Sequence, residues 1–163
     1  MQRLITGKAS SVIQKPAESR EHMSDLEKVR QWLLTCPEWE DTLTVDFVEA
    51  APGNAGLFPT GMEEIERQED ILGNVQVHCR YRFILYRQTS GQADGTANAQ
   101  WLLDFQNWVQ KQCALGQNPH FGDVPGMERM QAQKGSLKAA SQVGTGTYSV
   151  TLIADFMKKY EVN

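Results

Sequence analysis

Cysteine is scarce in this sequence: Cys36, Cys79 and Cys113 are the only three in 163 residues, far apart and odd in number. A disulfide framework needs pairs at regular intervals, so these read as buried free thiols inside apolar patterns, as in a reducing cytosol. Histidine is equally sparse, and His22, His78 and His120 never stand at the spacing by which imidazoles share a metal ion. No metal site and no cofactor is expected. No apolar run approaches the ~20 residues of a membrane helix, and the first residues lack the continuous apolar stretch of a secretory signal. A net charge of −4 gives no overall basic footprint, which disfavours nucleic-acid binding as the main task.

Catalytic motifs are missing as well. Neither a phosphate-binding glycine loop nor a dinucleotide fingerprint occurs; Gly144-Thr145-Gly146 is too short and leads into a strand. No serine stands in a nucleophile-elbow context. His78 and Cys79 are neighbours on a strand, which aims them at opposite faces and forbids a nucleophile–base pair. His120 beside Asp123 in an irregular loop is the best remaining dyad, against the simpler expectation of a loop histidine with a local hydrogen bond. The chain is therefore expected not to be an enzyme.

What is present is one long alternating stretch, from Asn74 to Gln88. Val75, Val77, Cys79, Tyr81, Phe83 and Leu85 fall on one side of a period-two pattern; Gln76, His78, Arg80 and Arg82 fall on the other. This predicts a strand of roughly 45 Å with one buried face, at about 3.3 Å per residue. A strand that long needs backbone partners along its length, from its own domain or from a neighbouring copy.

Around it the chain reads in order. Residues 1–22 have no convincing periodicity, and form either a flexible arm or a leader ahead of a start at Met23; residues 23–163 form a single domain. Ser24-Asp25-Leu26-Glu27 is a capping box opening a helix, which carries Leu26, Val29, Trp32 and Leu33 on one face and ends at Pro37. Thr42 to Ala50 alternates as a strand, and residues 52–56 carry turn chemistry. The acidic segment Gly61 to Asn74 fits a polar strand or a short helix. The strand is favoured because Gly61 and Gly73-Asn74 punctuate its ends, and Gly73-Asn74 would make a hairpin into the long strand. Residues 89–98 read as a flexible loop. A second helix over 97–115 shows a stripe of Trp101, Leu102, Phe105, Trp108 and Val109 with Gly116 as its C-cap, a stripe expected to be core. A short strand near 127–133, a mobile loop over 134–146 and a closing strand over 147–160 complete the chain. The class is α+β: an antiparallel sheet of four to five strands with two helices packed on one face.

The series Leu26 to Leu34 with Cys36-Pro37, the acidic glycine-flanked segment, Tyr81 to Arg87, the Trp101–Phe105–Trp108 helix and the Thr147–Tyr160 strand resembles the tail terminator and minor capsid proteins of Gram-positive siphophages and related prophages. The resemblance covers roughly residues 24–160 and rests on the order and spacing of the pieces; residues 1–22 have no counterpart in it. It implies a virion protein assembled in the bacterial cytoplasm. Such proteins form a hexameric ring at the head-proximal end of the tail, cap the tail tube, stop its growth and dock to the head connector, with DNA crossing the lumen. A neck or head–tail joining protein of the same particle has a similar architecture. A small-molecule-binding or hydrolytic domain, with its pocket between helix two and the sheet, is the reading from another class.

A ring built from one chain needs two unlike complementary surfaces. Glu63, Glu64, Glu66, Glu69 and Asp70 on one side, with Arg80, Arg82 and Arg87 on the other, are one such pair, unless they neutralise each other within the hairpin. Lys134 and Lys138, in the Ser-, Gly- and Lys-rich loop, and the loop 89–98 are further contact positions for tube or connector.

Overall fold

The computed structural model describes residues 23–37, 43–45, 55–90, 95–140 and 145–162; the expectations for residues 1–22 and for the remaining short gaps lie outside the described residues. Helix α1 (Asp25–Leu34) and strand β1 (Leu43–Val45) come first, then β2 (Ala55–Glu69) and β3 (Val75–Ser90). Helix α2 (Gly95–Ala114), a 3-10 turn at Pro125–Met127, β4 (Arg129–Ala140) and β5 (Thr145–Tyr160) follow. One sheet contains all five strands in the order β1-β2-β3-β5-β4. The four long strands are antiparallel to their neighbours, and the short β1 joins β2 in parallel. The class is α+β, with both helices on one face of the sheet.

Two helix ends follow their local chemistry. The Ser24 side chain accepts a hydrogen bond from the Glu27 amide at 3.2 Å, satisfying one of the orphan donors of the first turn. The return half of the expected capping box is replaced: the Glu27 carboxylate accepts from Arg30 (3.0 Å) and Gln31 (3.2 Å) on its own helix face. At the end of α2, Gly116 takes φ +69. Its amide donates to Cys113 and that of Gln117 to Gln112, the two bonds of a left-handed helix stop that favours glycine.

The apolar faces meet as the periodicity requires. Val29, Trp32 and Leu33 of α1 and Trp101, Phe105 and Val109 of α2 pack on Leu57, Phe83, Leu85, Met130, Val150, Leu152 and Ala154 of the sheet. Trp32 and Trp108 lie 4.8 Å apart between centroids, and Trp101 stacks on Phe105 at 5.7 Å. The tryptophan stripe is core. Further along the same face, Val77, Cys79 and Phe156 form a second small cluster covered by Phe121 of the α2–β4 connection. Cys36 and Cys79 are buried and in no disulfide, as expected, whereas Cys113 is only half-buried.

Several boundaries differ from the sequence reading. Strand β2 starts at Ala55, inside the stretch read as a turn, because Ala55, Gly56 and Leu57 line up between β1 and β3 as buried pairing positions. Strand β3 runs to Ser90 and α2 begins at Gly95, so most of the expected loop 89–98 is regular structure. The expected mobile loop 134–146 is mostly hairpin. β4 extends to Ala140, and its glycine and lysines are absorbed by register shifts between Gln133 and Ser136 and between Leu137 and Ala139. Each shift adds one residue to β4, a bulge of the kind found at sheet edges.

Candidate functional site

The face of the sheet turned away from the helices is the surface on which the sequence's charged residues converge. Strand alternation puts Gln76, His78, Arg80, Arg82, Ile84 and Tyr86 of β3 there, beside odd-numbered residues of β5. Strand β2 cannot follow a simple alternation. Extra residues at Thr60 and Ile65 shift its register twice, so Glu63 and Glu66 share the outer face while Glu64, Arg67 and Glu69 lie on the helix side. A bulge re-aims every side chain beyond it.

The ion pairs follow from that register. Arg82 pairs with Glu63 at 2.5 Å across the β2–β3 ladder. Arg80 turns the other way: its guanidinium donates to both carboxylate oxygens of Asp155 on β5, at 2.7 and 3.0 Å, the fork geometry that fixes both side chains. His78 reaches the same carboxylate at 3.6 Å. Partial burial works to raise the Asp155 carboxyl, but Arg80 and then His78 outweigh it and hold it below the usual carboxylate range. Arg67 pairs with Glu64 within β2 at 2.7 Å, and its hydrogen bond lowers the Glu64 carboxyl. Glu66 accepts from Gln68 at 3.2 Å, and Glu69 is exposed.

Two expected members belong elsewhere. Arg87 is odd-numbered and therefore lies on the helix side, with its guanidinium 4.5 Å from the Trp101 ring centroid, a cation–π contact inside the core layer. Asp70 is a turn residue: its carboxylate accepts from the Leu72 and Asn74 amides and from the Asn74 side chain at 2.9–3.0 Å. Those bonds, the Asn74 side chain first, hold the Asp70 carboxyl low. The turn they fix presents two apolar residues to solvent, Ile71 fully exposed and Leu72 at 75 %. Lys134 and Lys138 are placed on β4 at its two register shifts, and their side chains lie outside the described residues.

The His120–Asp123 dyad does not form. His120 Nδ1 lies 3.1 Å from Glu128, while Asp123 accepts from the Lys159 amide at 2.8 Å and donates its own amide to Met157. The Glu128 side chain is 1 % exposed and also accepts from the Phe121 and Gly122 amides, at 3.1 and 2.8 Å. Its acceptor capacity is spent on pinning the connection that covers Phe156. Sequence gave no signal for Glu128; Asp155 was legible as a charge opposite the arginine face once β3 and β5 are paired.

A groove of about 700 Å³ runs between α2 and β4, along Gln106, Gln110, Cys113, Met130 and Gln131. Among the described residues no group of three or more His, Cys, Asp or Glu side chains gathers at metal-binding distance, and no helix is long and apolar enough to cross a membrane. Comparison of the chain with protein-family models and with curated proteins finds no match.

Proposed function

We propose that this protein is a structural subunit of a phage tail: a terminator that forms a ring, six-fold by the resemblance of its sequence, on the head-proximal end of the tail tube. In this reading the ring stops tube growth, docks to the head connector and leaves a lumen for DNA. The observation that carries it is the sheet itself. One face is sealed by two helices and a tryptophan core, while the other mixes charged and amide side chains with Phe58, Ile84, Tyr86 and Ile153 and ends in two long strand edges. A surface whose charges are locked in register suits fixed contact with repeated protein partners better than capture of one small solute. The β2–β3 hairpin, with Ile71 and Leu72 at its tip, is the part that reaches tube or connector.

Deletion of the gene followed by electron microscopy of the tails tests the reading. Overlong tubes are the expected result. Tails of normal length that fail to join heads would instead make it a neck protein, and infectious particles of normal length would end both readings. The groove between α2 and β4 is where the small-molecule alternative would be found, and specific saturable binding of a metabolite there, with loss on substituting Gln106 or Gln131, would favour that alternative.

A further inference from the structure

We infer that the two edges of the sheet are the two halves of one head-to-tail contact, β4 of one copy pairing antiparallel with β2 of the next, with Arg129 opposite Glu63. This rests on the ring-forming reading above and names the surface that would make it.

The backbone supplies the first reason. Strand β1 covers only Ala55–Leu57 of β2. Among the described residues, β2 from Phe58 to Glu69 has a strand partner on the β3 side alone, and β4 has one on the β5 side alone. These edges are partly interrupted, since Pro59 has no amide to donate, the Ala132 carbonyl accepts from Gln106 at 3.2 Å and both strands carry bulges. The remaining backbone groups have no strand partner, and natural sheets cover, interrupt or pair such groups. Three successive antiparallel pairings separate β2 from β4, so these two strands run in opposite directions. A neighbour that keeps the same sense along the sheet brings β4 against β2 antiparallel, the hairpin-type ladder.

Charge decides between the ways of joining the edges. β2 carries four glutamates and one arginine, whereas β4 carries Arg129, Lys134 and Lys138 and no acid. Joining β2 to β2 about a two-fold axis sets acid against acid, and joining β4 to β4 sets base against base; like charges directly opposite are destabilising. Only the unlike pairing brings opposite signs together. With the two edges level, the pair that meets is Arg129 with Glu63, while Lys134 and Lys138 fall beyond the glutamates of β2. An interface of two unlike patches generates rings or filaments.

The register comes from one transverse row. Glu63, Arg80, Asp155 and Arg129 are successive cross-strand partners on the outer face. Their signs alternate from edge to edge: negative on β2, positive on β3, negative on β5, positive on β4. The row begins with the exposed Glu63, which already pairs with Arg82 on its own sheet, and ends with the exposed Arg129, which forms no ion pair among the described residues. A level neighbour continues the alternation without a break. The same level sets Gln131 opposite Gly61 and confines the contact to Arg129–Gln133, because beyond Gln133 the shifted β4 would meet Ala55–Leu57, which β1 already covers.

The test is a disulfide placed across this contact in the full chain, with Cys113→Ser removing the one native thiol that is not buried. Glu63→Cys and Arg129→Cys are combined in one chain and oxidised mildly, both as purified protein near millimolar concentration and in particles from a deletion strain complemented with the variant. The expected result is a non-reducing ladder of chain multiples ending in one closed species. An equimolar mixture of the two single variants stops at dimer, and each single variant alone stays monomeric. Glu63→Arg weakens association at least tenfold, and adding Arg129→Glu to the same chain restores it. Dimers from either single variant alone, or no ladder in protein and particles alike, would overturn the contact. Overlong tails on gene deletion without a ladder would sink this contact and leave the terminator reading standing; a ladder with normal tails on deletion would do the reverse.

Discussion

Glu128 shows how much a single side chain decides in this fold. Its carboxylate is almost fully buried and accepts from two backbone amides and His120, so removing it leaves donors without partners in a dry site. Glu128→Ala is expected to cost about 2–3 kcal/mol in chemical denaturation, the usual scale for orphaned buried groups beside a lost charged acceptor. The neighbouring Gly122 is fixed by space: a Cβ there would come 2.2 Å from the Met157 carbonyl oxygen. Since the obstacle is backbone, Gly122→Ala should cost about 1–3 kcal/mol, as overpacking does. A midpoint within experimental error of the parent would show that the connection yields freely. Asp155 predicts a pH dependence. Its carboxyl is held below its ordinary value in the folded state, so its contribution is fully present above the unfolded carboxylate value and is lost as pH falls through the folded one. The pair is partly exposed, so the effect is about 1 kcal/mol. Asp155→Asn should lower stability at pH 7 and flatten its fall between pH 5 and 3; an unchanged acid limb would remove the Arg80–Asp155 pair as its cause.

At the scale of elements, the β2–β3 hairpin combines a firm frame with a loose-looking tip. The turn is closed by three hydrogen bonds to Asp70, while Ile71 and Leu72 touch little. Replacing both by serine should leave the unfolding midpoint unchanged within about 0.5 kcal/mol, as surface substitutions do, and, under the tail-subunit reading proposed above, reduce incorporation in a particle assay. A large loss of stability instead would assign the tip to the fold. The helix side behaves oppositely. Tyr81 on β3 donates to Asp25 of α1 at 2.5 Å, and burial first, then that carboxylate, pushes its hydroxyl well above its ordinary range. Tyr81→Phe should therefore cost about 1 kcal/mol and speed amide exchange in the first turn of α1. The element boundaries also show where pattern reading loses hold. The alternation of β3 and β5 and the stripes of α1 and α2 are legible because each buries one continuous face. β2 defeats it, since two extra residues flip its faces and no local signal marks Thr60 or Ile65 as the inserted ones. Lys134–Gly146 looked like a loop by composition, yet most of it forms hairpin strands because β5 offers a long partner.

For the whole molecule, the edge contact proposed above carries a salt dependence. A contact built from opposite charges on two exposed edges is screened by salt, with a Debye length of about 3 Å at 1 M against about 10 Å at 0.1 M. Association of the purified chain, followed by sedimentation, should therefore weaken markedly between those salt concentrations. Insensitivity to salt would point to an apolar contact such as the hairpin tip. The sequence by itself determined the class, the two amphipathic helices, the long strand and the tryptophan core, because each follows from a repeat of 3.6 or 2 read over neighbouring residues. It also showed an acidic segment and arginines close enough in sequence to meet. Only the tertiary structure decided that Arg80 belongs to Asp155, Arg82 to Glu63 and Arg87 to Trp101. Those pairings depend on strand order, on bulges and on residues as far as 75 positions apart, and a charge pair forms where the register puts it, whatever its distance along the chain.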